Sequence, residues 1–323
     1  MTTAHTLTSL LTRARDRAQG VRFIGRDEEA CSFTYNELAL RAHAVAGSLA
    51  ALGVKRGDVV ALVLPTAVSF YDAFFGTLLL GAVPAPLYPP VRLGRLDEYH
   101  LRTAAMLRAS QAALVLTDAR VRRLLGQAVE RAAPRLGCVS VDALPGGDCV
   151  PAEVEPSGLA LVQFSSGTTV DPKPVGLTHA QIIANIEAIH GAIIEALPET
   201  DGARHTAVSW LPLYHDMGLI GSVLTSLYHA TDLTLIPPEL FVARPAVWLR
   251  TVAKYRASVS AAPNFAYGLC AERISDADLT GVDLSPWRLA LNGAEAVTPA
   301  ALDKFVARFA PWGFRAEALT PVY

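Results

Sequence analysis

Neither sign of charge dominates this chain: 28 Lys and Arg stand against 30 Asp and Glu in 323 residues, a formal net charge of −2. That near-balance excludes the basic footprint of a nucleic-acid binder, so any anion the protein binds must be held by a local arrangement. Cysteine is scarce. Cys31, Cys138, Cys149 and Cys270 lie far apart, with no CxxC pair and no Cys/His cluster at metal spacing, which favours reduced structural thiols over a disulfide framework. Long apolar runs are missing as well. The strongest, residues 74–84, is broken by Gly76, Gly81 and Pro84 and is far too short to span a bilayer, so no membrane span is expected. Residues 1–20 place Arg13, Arg15 and Arg17 after a short apolar stretch, the wrong order for a signal peptide, and the expected location is cytoplasmic.

What the sequence has in quantity is alternation. Thr34 and Glu37 form a T-x-x-E capping box, after which Leu38, Val45, Leu49 and Leu52 recur at helical spacing until Gly53. VVALVLP (59–65) is continuous, apolar and β-branched, as a strand buried on both faces of a parallel sheet should be. A helix is predicted over 69–80, then extended chain at 83–90, a helix at 98–108, a strand at 112–117, a helix at 120–132 and a strand at 138–144. Residues 145–158, rich in Gly, Pro and acid, read as an exposed loop, and strands resume at 159–164, 207–213, 232–238, 258–264, 288–293 and 316–323. Thr298 followed by Pro299 opens a further helix. The predicted class is α/β, with doubly wound, mostly parallel sheets carrying helices on their faces.

The most informative segment is 159–186, where a buried strand runs into a cluster of hydroxyls, a glycine and a lysine. Ser165, Ser166, Thr168 and Thr169 can donate hydroxyl hydrogen bonds, Gly167 lets backbone N–H groups approach closely, and Lys173 supplies a compact positive charge. Thr178 and Gln181 make a second capping box at the start of the next helix. The Walker order G-x-x-x-x-G-K-[ST] is absent. An ordinary Ser/Thr-rich turn is the plain alternative; the strand before it, the glycine and the lysine favour a polyphosphate cradle.

SWLPLYHDMGLIG (209–221) sets Tyr214, His215 and Asp216 at the end of a second buried strand, and strand ends are where open α/β sheets bind ligands. A lone His is often structural and a strand-end Asp is often only a helix cap. NGAEAV (292–297) follows a third strand, and Gly293 there permits flat approach of backbone to a planar group.

Together these motifs, in this order, resemble the fatty-acyl-AMP ligases of the acyl- and aminoacyl-adenylate-forming superfamily, from about Leu7 to Tyr323. The hydroxyl loop resembles that superfamily's Ser/Thr/Gly-rich loop, with Pro174 where the pattern has Gly. Residues 209–221 are similar to the W-L-P-x-Y/F-H-D-M-G-L-I-G block, while PLYPP (86–90) and APNFAY (262–267) also fit. NGAEAV is similar to N-G-A-E-P-V, with Ala296 for Pro, and TPVY (320–323) to the start of P-x-Y-G-x-x-E.

The resemblance implies ATP and Mg2+ as cofactors. The implied phosphate site is Ser165, Ser166, Gly167, Thr168, Thr169 and Lys173, and the implied adenine site is Asn292, Gly293, Ala294, Glu295 and Tyr323. On the substrate side it places His215, Asp216, Asn264 and Gly293, with His215 and Lys173 catalytic. A fatty-acid carboxylate would attack the α-phosphorus, release pyrophosphate and leave acyl-AMP, whose acyl group would pass to the phosphopantetheine thiol of an acyl carrier protein. The magnesium-binding acid, the ribose-binding Asp and the C-terminal domain with its catalytic Lys are expected beyond Tyr323. No metal ligand is therefore expected within these residues, and the chain is expected to be an inactive N-terminal portion. Residues 1–57 with 190–323 are expected to form one subdomain and 58–189 the other. An acyl-CoA ligase and a non-catalytic acyl or nucleotide binding module are the alternatives.

Overall fold

The computed structural model describes residues 5–90, 95–164, 172–198 and 205–322. They form two compact units, one of Met1–Asp16 with Tyr35–Asn185 and one of Arg17–Thr34 with Ile186–Tyr323.

In the first unit, helix α1 (Leu7–Ala14) starts at a reciprocal cap between Thr6 and Ser9 and buries Leu7, Leu10, Leu11 and Ala14, an i, i+3, i+4, i+7 stripe. Helix α2 (Tyr35–Ala51) lies against α3 (Val68–Leu79) closely enough that a Cβ on Gly76 would come within 2.8 Å of Val45 and 3.0 Å of the Ala42 carbonyl. Between and after these helices run β3 (Val59–Val63), β4 (Val83–Pro86), β5 (Ala112–Thr117) and β6 (Cys138–Ser140), parallel in the order β4-β3-β5-β6. β5 is buried at every residue, as its unbroken apolar sequence requires. Helices α4 (Leu96–Ala109) and α5 (Ala119–Ala132) complete this part, with Asp118 accepting the Val121 N–H at 2.6 Å as the cap of α5. β7 (Leu159–Phe164) and β8 (Pro174–Thr178) pair antiparallel, with Phe164 opposite Pro174. Proline is tolerated there because it is the first residue of its strand. Thr178 and Gln181 then exchange the two hydrogen bonds of the predicted capping box, at 2.9 and 3.2 Å, and open α6 (His179–Ala196).

The second unit is built on seven strands: β1 (Gly20–Ile24), β2 (Ala30–Thr34), β9 (Ala207–Ser209), β10 (Leu233–Leu235), β11 (Val259–Ala262), β12 (Leu289–Asn292) and β13 (Leu319–Pro321). Their order is β13-β12-β11-β9-β10-β1-β2, and every pairing is parallel except the β1–β2 hairpin. Helices α7 (Thr225–His229), α8 (Pro238–Ala243), α9 (Ala246–Lys254), α10 (Asn264–Arg273) and α11 (Pro299–Phe309) accompany them. The core is aromatic: Trp248 meets Trp287 edge-on at 5.0 Å, and Phe305 meets Tyr267 and Phe314 at 5.0 and 4.9 Å. Each polar handle is satisfied, Trp248 Nε1 by Ser260, Trp287 Nε1 by the Leu289 carbonyl and the Tyr267 hydroxyl by the Leu291 carbonyl.

The α/β class with parallel sheets is the expected one. The division of the chain differs. Only 17–34, not 1–57, joins the C-terminal segment, because α2 spends its apolar face on α3, and the crossing point falls at 185/186, inside α6. No helix among the described residues is long and apolar enough to cross a membrane, and all four cysteines are free thiols.

Candidate functional site

β9, β11 and β12 lie side by side and point the same way, so the segments leaving their carboxyl ends emerge together at one edge of the sheet. Those segments are 210–216, 263–265 and 293–298, and they carry His215, Asp216, Asn264, Gly293 and Glu295.

After β9 the chain turns at Pro212, whose carbonyl accepts the His215 N–H at 3.1 Å. His215 Nδ1 stands 2.6 Å from Asp216 Oδ1. The Met217 N–H is bound to the same carboxylate at 2.7 Å and lies 3.4 Å from His215 Nδ1. Nδ1 cannot both donate to Asp216 and accept from Met217; the shorter, charge-assisted contact decides, so Nδ1 carries a proton. The bond to Asp216 raises the imidazole's pKa against the opposing effect of burial, and the same bond to His215 lowers that of the carboxyl. Both side chains remain substantially exposed, and Nε2 has no hydrogen-bond partner among the described residues; it becomes a donor when the ring is protonated. Gly218 is required at the next turn: a Cβ there would fall 2.2 Å from the Pro212 carbonyl oxygen.

The loop after β12 is held to α10 by a small amide network. Asn292 Nδ2 donates to Asn264 Oδ1 at 3.1 Å, the Thr298 N–H donates to the same oxygen at 3.2 Å, and Asn264 Nδ2 donates to Thr298 Oγ1 at 2.8 Å. Glu295 accepts the Phe265 N–H in the first turn of α10, where a carboxylate meets unpaired amides and the positive helix end. Ala294 takes a left-handed φ of +67°, and a Cβ on Gly293 would come 2.7 Å from the Val322 carbonyl oxygen. Asn292 is wholly buried, with Oδ1 an acceptor that finds no donor.

These positions modify the sequence reading. Asn264, expected on the substrate side, has both ends of its amide engaged by Asn292 and Thr298. Glu295, expected at the adenine, accepts the Phe265 N–H in the first turn of α10. Asn292, expected at the polar edge of the base, lies below the surface, although its unmatched oxygen fits a donor from a bound group. Gly293, expected at the adenine, packs its backbone against Val322, and Ala294 beside it takes the left-handed φ of +67°. Lys173, in the other unit, is exposed just before β8 and has no ion-pair partner among the described residues. Ser165, Ser166, Gly167, Thr168, Thr169 and Tyr323 lie outside the described residues. Among those described, no group of three or more His, Cys, Asp or Glu comes together to hold a metal ion.

Several residues of the site were not anticipated. Thr298 sits at the N-cap position of α11 but makes no side-chain cap bond; its hydroxyl is turned to Asn264. Phe265 is about half exposed at the strand ends, and Ser222 donates to Ser209 at the end of β9. A strand-to-helix junction was visible at each, but which hydroxyl meets which partner depends on chain crossings that spacing does not encode.

The family model for the AMP-binding enzymes matches residues 11–322. A 4-hydroxyphenylalkanoate adenylyltransferase of Mycobacterium marinum is 35% identical over 299 residues, covering 90% of this chain and 47% of the relative. A medium-chain-fatty-acid–[acyl-carrier-protein] ligase of Moorena producens is 34% identical over 305 residues, covering 92% and 50%. A solved structure from work on fatty acyl-adenylate ligases of E. coli and L. pneumophila superposes with a TM-score of 0.91 at 34% identity, covering 98% of this chain and 57% of that one. The chain thus spans about half the length of the relatives it matches. With its parallel sheets, its strand-end site and a match along nearly its whole length, the chain belongs to the AMP-binding enzyme family and corresponds to the N-terminal portion of the fatty-acyl-AMP ligases.

Proposed function

We propose that this chain carries the ATP- and acid-binding part of an enzyme that converts a fatty acid to acyl-AMP and hands the acyl group to an acyl carrier protein. The observation that carries the reading is the His215–Asp216 pair at the carboxyl end of β9, on the same sheet edge as the Gly293–Ala294 backbone. A protonated imidazole with a free Nε2–H is suited to hold a carboxylate without taking its charge away. Asp216 raises the ring's pKa and orients it, so its role is supporting. Lys173 is the proposed partner of the triphosphate, together with the hydroxyl loop before it. Displacement at the α-phosphorus needs position and charge neutralisation more than acid–base chemistry. Mg2+ would supply further neutralisation. The proposed activity belongs to a protein of the relatives' full length, with the 323 residues alone binding without useful turnover.

A second reading concerns the acid. The M. marinum relative is named for 4-hydroxyphenylalkanoates, so an aryl-tailed alkanoate is a rival to a simple fatty acid. Carboxylate-dependent exchange of pyrophosphate into ATP, measured on full-length protein, tests both. Exchange with fatty acids of graded length, followed by loading of a holo carrier protein and not of CoA, is the expected result. Exchange only with hydroxyphenylalkanoates would move the proposal to that tail, acyl-CoA as product would move it to a CoA ligase, and exchange with amino acids alone would overturn it.

A further inference from the structure

The eight residues that follow Asp216, Met217–Leu224, form a π-helix, which passes at Thr225 into α7. π geometry is rare and usually confined to single turns at functional sites. Its register here is marked by two hydroxyls. Ser222 Oγ reaches the carbonyl of Met217 at 3.2 Å and Thr225 Oγ1 that of Ile220 at 2.8 Å, in each case five residues back. In the α-helices of the same chain, Thr77, Ser110 and Ser48 reach carbonyls four residues back, those of Ala73, Met106 and Ala44. The Thr225 N–H also bonds the Ile220 carbonyl, so that oxygen is held twice in the wider register.

Ser222 ties this helix to the sheet. Its hydroxyl lies 3.0 Å from that of Ser209, the last residue of β9, which itself accepts the Leu211 N–H at 3.2 Å. Ser222 is the donor both to Ser209 Oγ at 3.0 Å and to the Met217 carbonyl at 3.2 Å, so its one proton is shared between the two acceptors. The Met217 N–H in turn holds Asp216, and Asp216 holds His215. Hydrogen bonds at the two sides of one residue, Met217, thus join the end of β9 to the imidazole. Successive residues of an α-helix are about 100° apart around its axis, so removing the one-residue excess of a π turn would swing His215 by that angle relative to Ser222.

We propose that Ser222 and Thr225 are positioning residues for His215, locking the π register of 217–224 so that the imidazole is held at the strand end. The inference rests on His215 as the site of carboxylate binding for its functional meaning, but its test does not. Nuclear magnetic resonance of the His215 ring, assigned with His215→Gln, gives its titration midpoint with no nucleotide or acid present. Ser222→Ala and Thr225→Val should each lower that midpoint from the parent's raised value toward the ~6.5 of a free imidazole, as the ring turns away from Asp216. Thr225→Ser keeps the hydroxyl and should leave the midpoint in place. Thr77→Val deletes an equally buried hydroxyl–carbonyl bond in the other unit and should leave it in place too. Thr225→Val is nearly isosteric and keeps the packing, so the comparison survives if Ser222→Ala fails to fold. An unmoved midpoint in Thr225→Val, or an equal shift in Thr77→Val, overturns the proposal.

Discussion

His179 Nδ1 accepts the backbone N–H of Leu7 at 3.2 Å, joining the first residue of α6 to the first residue of α1 across 172 positions of sequence. The ring is 2% exposed and burial pushes its pKa down to about 4. A protonated Nδ1 could no longer accept.

The sign of the resulting pH dependence follows. The folded state holds His179 neutral, so its contribution is fully present above the unfolded pKa of 6.5 and is lost as pH falls from there toward about 4. Denaturant melts at pH 7 and pH 5 should therefore differ by about 2 kcal/mol more in the parent than in His179→Gln, whose amide oxygen can still accept from Leu7. Equal pH dependence in the two proteins would remove His179 from the account.

The glycines of the strand-end turn should separate cleanly. Gly218→Ala would put a methyl 2.2 Å from one backbone oxygen and 2.9 Å from another, neither of which can rotate away, so a loss above ~2 kcal/mol is expected. Gly221, three residues on in the same helix, has nothing within 4 Å of its missing Cβ. Gly221→Ala should be neutral or stabilising by up to ~1 kcal/mol through reduced backbone entropy. Thermal unfolding of the pair checks both.

In the first unit, Arg41 grips Asp72 through Nε and Nη2, and the carboxylate side chain is only 8% exposed. Burial raises the Asp72 pKa despite the guanidinium, so the charge is tolerated only because it is paired. Arg41→Met should cost about 3 kcal/mol by stranding that charge, with the loss growing as pH rises through the Asp72 pKa. Arg41→Met combined with Asp72→Leu should recover most of it. A double-mutant cycle with no coupling would contradict this.

How much of this was legible in the sequence varied with the kind of signal. Apolar runs placed β3, β5, β7 and β12 well, because a largely buried strand has few polar residues to blur it. Paired caps fixed the start of α6 at His179. β1 and β2 were not seen: Arg22 and Ser32 interrupt them, and the turn between them depends on Glu28 at a φ of +66°. β8 is exposed over Pro174, Val175 and Gly176 and carries no periodicity. At the site, His215 and Gly293 stood out because each lies in a motif that follows a buried apolar strand. The partners of Asn264 and Glu295 did not, since each lies about thirty residues away and is fixed only when β11 and β12 pair.

The proposed assignment of two motifs to two substrates is tested most directly by measuring ATP and fatty-acid affinity separately in full-length protein carrying Lys173→Ala or His215→Ala. Loss of an ammonium facing phosphate oxygens should weaken ATP binding about tenfold or more while leaving the fatty acid within about twofold. His215→Ala should do the reverse. If Lys173→Ala binds ATP like the parent, or if His215→Ala loses ATP and keeps the fatty acid, the assignment is wrong.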